Sequence, residues 1–524
     1  MSLGRSALER WPAVFAGRGV LLLLAGALHA ASTAWPIDLG FARGQTLWLL
    51  QLAAMGLLAL VLLRARSATQ AFAAGWWFGT VYLAGTFWWL FVAMHTYGGL
   101  AAPLAVVAVI ALAASLALYF GVVCGLWQRV GIRRAAPSVP VFGALWMMAE
   151  MARGTWLTGF GWGAGGYAHL DGPLAFYAPW IGVYGMTALA AGLGMALAQV
   201  LSVSRGLAPR AGILAGVALV LALPLALPAA WNEWTRSSGG LSVTLLQGNI
   251  PQNEKFETGT GVARSLAWYH TELLAANTAL VVAPETALPV LPFQLPEGYW
   301  ESLRAAMDGS NRVAVIGMPL GNEAQGYSNS VLGLVGGLAQ PLRYDKHHLV
   351  PFGEFIPPLF RWFTALMHIP LGDFNRGALG QASFAVQGQR LAPNICYEDL
   401  FGEELAARFA DASLAPTIFV NVSNLAWFGD TVAVDQHVAI SRMRSLEFQR
   451  PFVRATNTGT TAILDHQGQM RAALPRLTEG VLVGEVQGRE GRTPFAWWAA
   501  RFGLWPLWLL GLGVVGWCWR RHAA

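Results

Sequence analysis

A thiol at Cys396, a carboxylate at Glu285 and an amine at Lys346 are the side-chain types that acyl transfer through a covalent intermediate requires. The thiolate attacks a carbonyl carbon, the carboxylate moves protons, and the ammonium steadies the oxyanion that forms. Each follows a short run that reads as a buried strand: Leu280-Val-Val-Ala-Pro284 before the carboxylate, Pro341-Leu-Arg-Tyr-Asp345 before the amine, and Leu391-Ala-Pro-Asn-Ile395 before the thiol. Taken singly, each has a plainer reading. Free cysteine is often a buried filler, Glu285 after Pro284 suits the start of a helix, and most lysines are solvated. Those readings weaken together. Cys396 alone of the three cysteines has polar neighbours, and Lys346 shares the chain with one other lysine, Lys255. A free thiol titrates near ~8.5, so a base and a cation beside it are what make it a nucleophile at neutral pH.

The elements that must position these groups divide the chain sharply. Its 524 residues are 55% hydrophobic and 12% charged, where a soluble domain has roughly 25% charged residues. Apolar runs near 17–33, 45–64, 70–93, 101–126, 139–153, 176–200, 211–229 and 502–519 predict eight membrane spans, each approaching the ~20 residues that cross a bilayer. The run at 139–153 is the weakest, being short and carrying Glu150. The first run has features of a signal peptide, with Arg5, Arg10 and Arg18 ahead of Leu21-Leu-Leu-Leu24, but further spans follow at once and a retained anchor is the better reading. Glu150 and Arg153 read as a local ion pair at the outer membrane interface.

Arginine sets the orientation. Arg5, Arg10, Arg18, Arg64, Arg66, Arg129, Arg133, Arg134, Arg205, Arg210, Arg520 and Arg521 fall on the termini and the even-numbered loops, against only Arg43 and Arg153 on the other side. Both termini are therefore expected in the cytoplasm, with residues 230–501 outside. The net charge of +6 is accordingly a signal of topology, and no nucleic-acid partner is expected. Three cysteines build no disulfide framework, and an unpaired thiol facing an oxidising compartment points to reactivity at Cys396.

The expected organisation is a membrane domain over 1–229 with seven spans, an α/β catalytic domain over 230–501, and an eighth span with a short tail over 502–524. Within the middle block, strands are predicted at 243–247, 280–283, 313–317, 331–335, 391–395, 417–422, 461–464 and 481–486, and helices at 262–276, 297–307, 402–411 and 432–449. Reactive groups at strand C-termini are what an α/β sheet predicts for its site. Residues 357–370 are apolar and aromatic yet follow the lysine segment directly, so Trp362 and Phe363 are expected in a membrane-touching lid that contacts lipid.

The motifs around the three groups resemble the nitrilase superfamily, whose catalytic set is Glu, Lys and Cys. The matching stretches are Ala283-Pro-Glu285, Tyr344-Asp-Lys346-His-His-Leu-Val-Pro-Phe-Gly-Glu354, Ile395-Cys396-Tyr397-Glu398 and Asn421-Val-Ser-Asn-Leu-Ala-Trp-Phe-Gly-Asp430. With Val350-Pro-Phe-Gly-Glu-Phe-Ile-Pro357 and the membrane flanks, nearly the whole chain is similar to the membrane-embedded apolipoprotein N-acyltransferase branch of that superfamily. Two positions depart from the pattern: Leu425 where an Asp is usual, and Gly159-Phe-Gly161-Trp162 where Gly-Phe-Pro-Trp is common.

The resemblance implies a nitrilase-like αββα sandwich in an inner-membrane, multi-pass protein whose catalytic domain faces the periplasm. It implies transfer of a fatty acyl chain from a phospholipid to the N-terminal amine of a diacylglyceryl-cysteine apolipoprotein, by a monomer without a cofactor. Cys396 would carry the acyl group as a thioester. Glu285 would move the protons, and Lys346 with a backbone N–H near Tyr397 would form the oxyanion hole. Glu354, Tyr397 and Glu398 are supporting residues on this reading. Glu354 and Glu398 also read as ion-pair partners of Arg343 or Arg376. His347 and His348 lack the ligand cluster of a metal site, so no metal is expected.

Two other functions compete. A membrane-tethered nitrilase-type amidase shares the triad but needs no membrane half. A transporter with a sensory outer domain predicts repeated helix groups and charges lining a path.

Overall fold

The computed structural model of the chain describes residues 11–130, 137–202, 207–356 and 373–523, which fall into two compact units. The first is Met1–Trp88, Val106–Ala229 and Leu504–Ala524. Its described part is helical: Trp11–Thr33, Trp48–Leu63, Ala68–Thr86, most of Ala102–Arg129, Ser138–Thr155, Ala178–Ser202, Leu207–Ala226 and Trp505–Ala523. Every predicted apolar run has its helix, but fewer qualify as spans. Among the described residues Ala102–Arg129 and Pro173–Ser202 are long and apolar enough to cross a membrane, or up to four if Ala68–Thr86 with Leu90–Tyr97 and Pro494–Phe502 with Trp505–Arg520 each count as one bent span. Arg18–Thr33, Trp48–Leu63 and Arg210–Ala226 are apolar but shorter.

The expected Glu150–Arg153 ion pair is present in this unit, at 2.5 Å, with both side chains fully buried in the protein. The guanidinium also donates to the carbonyl oxygens of Phe160 at 2.5 Å and Trp162 at 2.9 Å. It thereby folds the Gly159–Trp162 loop back onto its own helix. An arginine buried in apolar surroundings is retained only where carboxylate and carbonyl acceptors surround it.

The second unit is Trp89–Ala105 with Ala230–Gly503. Its strands are β1 (Thr235–Gln247), β2 (Leu280–Val282), β3 (Val313–Asn322), β4 (Gly326–Val335), β5 (Leu342–Asp345), β6 (Phe384–Val386), β7 (Gln389–Ile395), β8 (Ile418–Ser423), β9 (Phe452–Thr456), β10 (Ala462–Leu464), β11 (Met470–Ala473) and β12 (Gly480–Gly491). They form two six-stranded sheets, ordered β12-β1-β2-β3-β4-β5 and β11-β10-β9-β8-β7-β6. Each has three parallel strands at its centre, β1-β2-β3 and β7-β8-β9, with antiparallel strands outside them.

Side-chain alternation explains the layers. Leu280 and Val282 of β2 face an inter-sheet core with Ile418, Val420 and Val422 of β8. Val281 between them faces the opposite way, onto Leu266, Tyr269 and Leu273 of helix Ala263–Ala275. Phe419 likewise turns away from the sandwich, toward Leu405, Phe448 and Phe495. A strand with apolar residues at every position is buried on both faces, so each sheet needs a helical cover. The result is the αββα sandwich that the resemblance implies.

Residues 89–105 belong with this unit by their contacts. The Trp89 ring lies 4.4 Å from that of Phe428, its Nε1 donates to Gln436 Oε1 at 3.0 Å, and Tyr97 meets Trp427 edge-on at 5.9 Å. Residues 357–370, with Trp362 and Phe363, lie outside the described residues.

Candidate active site

The connectivity brings two of the three reactive groups to one edge. β4 runs antiparallel to β3, and β5 antiparallel to β4, so β5 points the same way as β2. Glu285, just past β2, and Lys346, just past β5, leave their sheet at the same end. Cys396 leaves β7 of the other sheet. Glu285 sits in a turn, not at the helix start that Pro284 allowed. Gly317 of the neighbouring strand makes room for that turn: a Cβ there would come within 2.3 Å of the Pro284 carbonyl oxygen and 2.8 Å of Glu285 Cα.

Lys346 is 1% exposed, which excludes the solvated reading. Its Nζ lies 2.9 Å from Glu354 Oε1 and 3.2 Å from Glu285 Oε1. Asn329 Nδ2, on β4, donates to the same two oxygens at 2.7 Å each. The second oxygens are held by main chain: Glu285 Oε2 accepts from Asn424 N at 2.8 Å, and Glu354 Oε2 from Val350 N at 2.9 Å. Burial alone would lower the ammonium's pKa, but the Glu285 and Glu354 carboxylates outweigh it and hold Lys346 well above the usual lysine range. It is a fixed cation, suited to an oxyanion and unsuited to giving up its proton.

Cys396 is half-buried and adopts a left-handed backbone, φ +55°, between β7 and a 3₁₀ turn, Cys396–Leu400. A non-glycine residue in that region is uncommon and must be held by its surroundings. Here the hold falls on its carbonyl oxygen, which accepts from Asn421 Nδ2 at 2.9 Å and from His437 Nε2 at 3.2 Å. Arg454 fixes the imidazole: its Nη2 can only donate, so His437 Nδ1 is the acceptor at 2.6 Å and Nε2 carries the proton. Burial, and then Arg454, push the His437 pKa well below the usual range, keeping the ring neutral. Arg454 is itself paired with Asp399 at 3.3 Å. The thiol is pushed well above its usual pKa by burial and by Glu285, against the pull of Lys346. At rest it is therefore protonated, with its proton to be removed in the course of attack.

The supporting residues resolve into distinct tasks. Glu398 pairs with neither Arg343 nor Arg376. Its Oε1 accepts from the main-chain N–H of His347 at 2.7 Å and His348 at 3.1 Å, and its Oε2 from Tyr344 Oη at 2.8 Å and Ile395 N at 2.7 Å. One buried carboxylate thus ties the lysine segment to the nucleophile turn. Arg343 instead meets Asp345 at 2.9 Å, and Arg376 lies over the Phe355 ring at 5.0 Å. Tyr397 donates to the Leu349 carbonyl at 2.8 Å and lies beneath Lys346, with Nζ 5.9 Å from the ring centre. His348 stacks on Phe401 at 3.5 Å and meets Glu404 at 2.9 Å. Among the described residues no His, Cys, Asp and Glu group has the makings of a metal site. Leu425 is buried, its side chain close to Gly459.

Sequence reasoning missed Asn329, Asp399, His437 and Arg454. No motif marks them; Asn329 bridges two carboxylates only because β4 lies beside β5, and His437 reaches Cys396 from 41 residues away.

Residues 34–196 match the model of the apolipoprotein N-acyltransferase N-terminal domain, and residues 242–495 that of the carbon-nitrogen hydrolases. An apolipoprotein N-acyltransferase from Verminephrobacter eiseniae is 53% identical, over 92% of this chain and 92% of its own length. One from Ralstonia nicotianae is 45% identical, over 94% of this chain and 91% of its own. The solved structure of Saccharomyces cerevisiae Nit3, a member of branch 10 of the nitrilase superfamily, aligns with 48% of this chain and 91% of that one at 15% identity, with a TM-score of 0.36.

Proposed function

We propose, for a chain that belongs to the apolipoprotein N-acyltransferase family, a two-step acyl transfer carried by Cys396, with a membrane phospholipid as donor and the N-terminal amine of a diacylglyceryl-cysteine lipoprotein as acceptor. The observation that carries this reading is the Lys346 ammonium held between Glu285 and Glu354, with the Cys396 thiol, on a left-handed turn, within the electrostatic reach of all three.

In the first step the sulfur attacks the ester carbonyl of the donor. The C–S bond forms as Glu285 takes the thiol proton, and the C–O bond breaks as Glu285 returns that proton to the leaving alkoxide, releasing lysophospholipid. In the second step the free amine attacks the thioester: the C–N bond forms, the C–S bond breaks, and the amine proton passes through Glu285 to the departing thiolate. The carbonyl oxygen carries negative charge in both steps, and Lys346 is the charged donor that stabilises it. Splitting one displacement into two through a thioester lowers each barrier.

The test is mass spectrometry of the full-length protein after incubation with phospholipid alone. One acyl group on Cys396 and free lysophospholipid are expected, and an acceptor with a free N-terminal amine should then discharge the enzyme. A charged enzyme that only water discharges would favour the tethered amidase instead.

The proposed topology follows the arginine asymmetry: both termini in the cytoplasm, and residues 230–501 on the periplasmic side of the inner membrane. A reporter after Ala524 should behave as cytoplasmic and one inserted near Asn322 as external. The reverse at either place would overturn the orientation.

A further inference from the structure

Of 34 lysine and arginine side chains, only Lys255 and Lys346 are lysine. Every other basic position is arginine, a side chain that stays charged and needs a broad, planar set of acceptors. Both lysines are buried, each 1% exposed, and both touch Glu285. Lys346 meets its carboxylate, whereas Lys255 Nζ donates to its main-chain oxygen at 3.1 Å.

The turn that carries Lys255 is built to place it. Lys255 N and Glu254 N both donate to the Pro251 carbonyl, at 3.0 and 3.2 Å. From the same turn, Gln252 Oε1 accepts from Asn424 Nδ2 at 2.9 Å, and it is the Asn424 N–H that holds Glu285 Oε2. The turn thus grips Glu285 twice, once through its main chain and once, by way of Asn424, through its carboxylate.

Lys255 also adds positive charge where it is scarce. The carboxylates of Glu285 and Glu354 share the single ammonium of Lys346, and Glu398 is a further buried carboxylate held by main-chain N–H groups and the Tyr344 hydroxyl. In a buried site each further negative charge, on the sulfur or on the carbonyl oxygen, is costly.

We propose that Lys255 is the second cation of the acyl-transfer site, a positioning residue that holds Glu285 by its main chain and offsets the negative charge developing on Cys396 and the reacting carbonyl. This role rests on Cys396 being the nucleophile. The titratable groups acting on Lys255 are Glu285 and Cys396, at the ends of β2 and β7. Burial lowers its pKa to about 8, against the pull of those two groups. The ammonium is therefore mostly charged at neutral pH and is lost as the pH climbs past about 8.

The test uses the full-length enzyme with Lys255→Met and Lys255→Gln. It reads iodoacetamide alkylation of Cys396 across pH, with kcat and KM for phospholipid beside it. Both variants should alkylate about tenfold more slowly at neutral pH, the effect of raising a thiol pKa by one. Their profiles should move to higher pH, and kcat should fall while KM holds. Glutamine keeps a donor for the Glu285 carbonyl but no charge, so a Lys255→Gln profile like that of the unaltered enzyme would overturn the charge role. Unchanged profiles in both variants would overturn the whole proposal, even if turnover dropped. Should either variant fail to fold, the unaltered enzyme decides: charging should decline above pH about 8, and a plateau to about pH 10, where an ordinary lysine titrates, would refute the assignment. Alkylation needs no lipid, so failure here is distinct from failure of the transferase reading, which would appear as normal turnover in Cys396→Ala.

Discussion

Cys396→Ala should abolish both the charging of the enzyme by phospholipid and the transfer to an amine, while leaving the protein folded. The loss of charging should be on the order of 10⁶, as for removal of the nucleophile in other covalent acyl-transfer enzymes. Folding is spared because what the surroundings hold at this position is main chain. Asn421 and His437 bond the Cys396 carbonyl oxygen, and alanine keeps that oxygen and the same left-handed backbone demand. Removing one half-buried sulfur should cost about 1 kcal/mol. Cys396→Ser is the sharper variant. It keeps the shape but offers a hydroxyl of much higher pKa, in a place where burial and Glu285 already push the thiol upward. Serine should therefore be nearly inactive, with a melting temperature close to that of the unaltered enzyme. Normal turnover in the alanine variant would remove the thioester from the mechanism and, with it, the reading of the whole site.

How far this site is legible in the sequence depends on how local each contact is. Glu285, Lys346 and Cys396 announce themselves because each follows an apolar run and stands in a short motif. The neighbours that tune them do not. Glu398 sits two residues past the thiol, but that it gathers the N–H groups of His347 and His348 depends on the lysine segment folding back over the nucleophile turn, a contact across 51 and 50 residues. Charge matching alone pointed to Arg343 or Arg376, since an arginine is a glutamate's expected partner when only sequence is in view. The three strands outside the predicted runs, β6, β9 and β11, have three to five residues each, too few for a period of two to register. The Trp89–Ala105 segment shows the same limit in the other half of the chain. Its composition continues an apolar helix, and only the packing of Trp89 and Tyr97 on Phe428 and Trp427 assigns it to the catalytic unit.

Lys346→Met should leave phospholipid binding in place and slow charging by about 10²–10³, the effect of removing one oxyanion donor, or roughly 2.7–4 kcal/mol of transition-state stabilisation. A second effect should accompany it. Without the ammonium, Glu285 and Glu354 face each other across a single donor, Asn329 Nδ2, as buried like charges. Removing one partner of a buried ion pair typically costs about 3–5 kcal/mol, and one of the carboxyls can relieve this by taking up a proton. The variant should therefore regain stability as the pH falls, through the range in which a carboxylate facing a like charge becomes protonated. The unaltered protein behaves differently. Its Lys346 pKa is raised in the folded state, so the stability from this cation is complete below the pKa of an unfolded lysine, and is lost only as the pH rises through the higher folded value. Between pH about 5 and 8 the contribution of Lys346 is thus constant in the unaltered enzyme, and any slope confined to the variant reports the buried carboxylate pair left without its cation. Melting temperatures at the two ends of that range, set beside single-turnover charging, separate the two effects. Charging within a few-fold of the unaltered rate would show that the oxyanion is held by main-chain donors alone, and Lys346 would then be a structural counter-ion to the two carboxylates and nothing more.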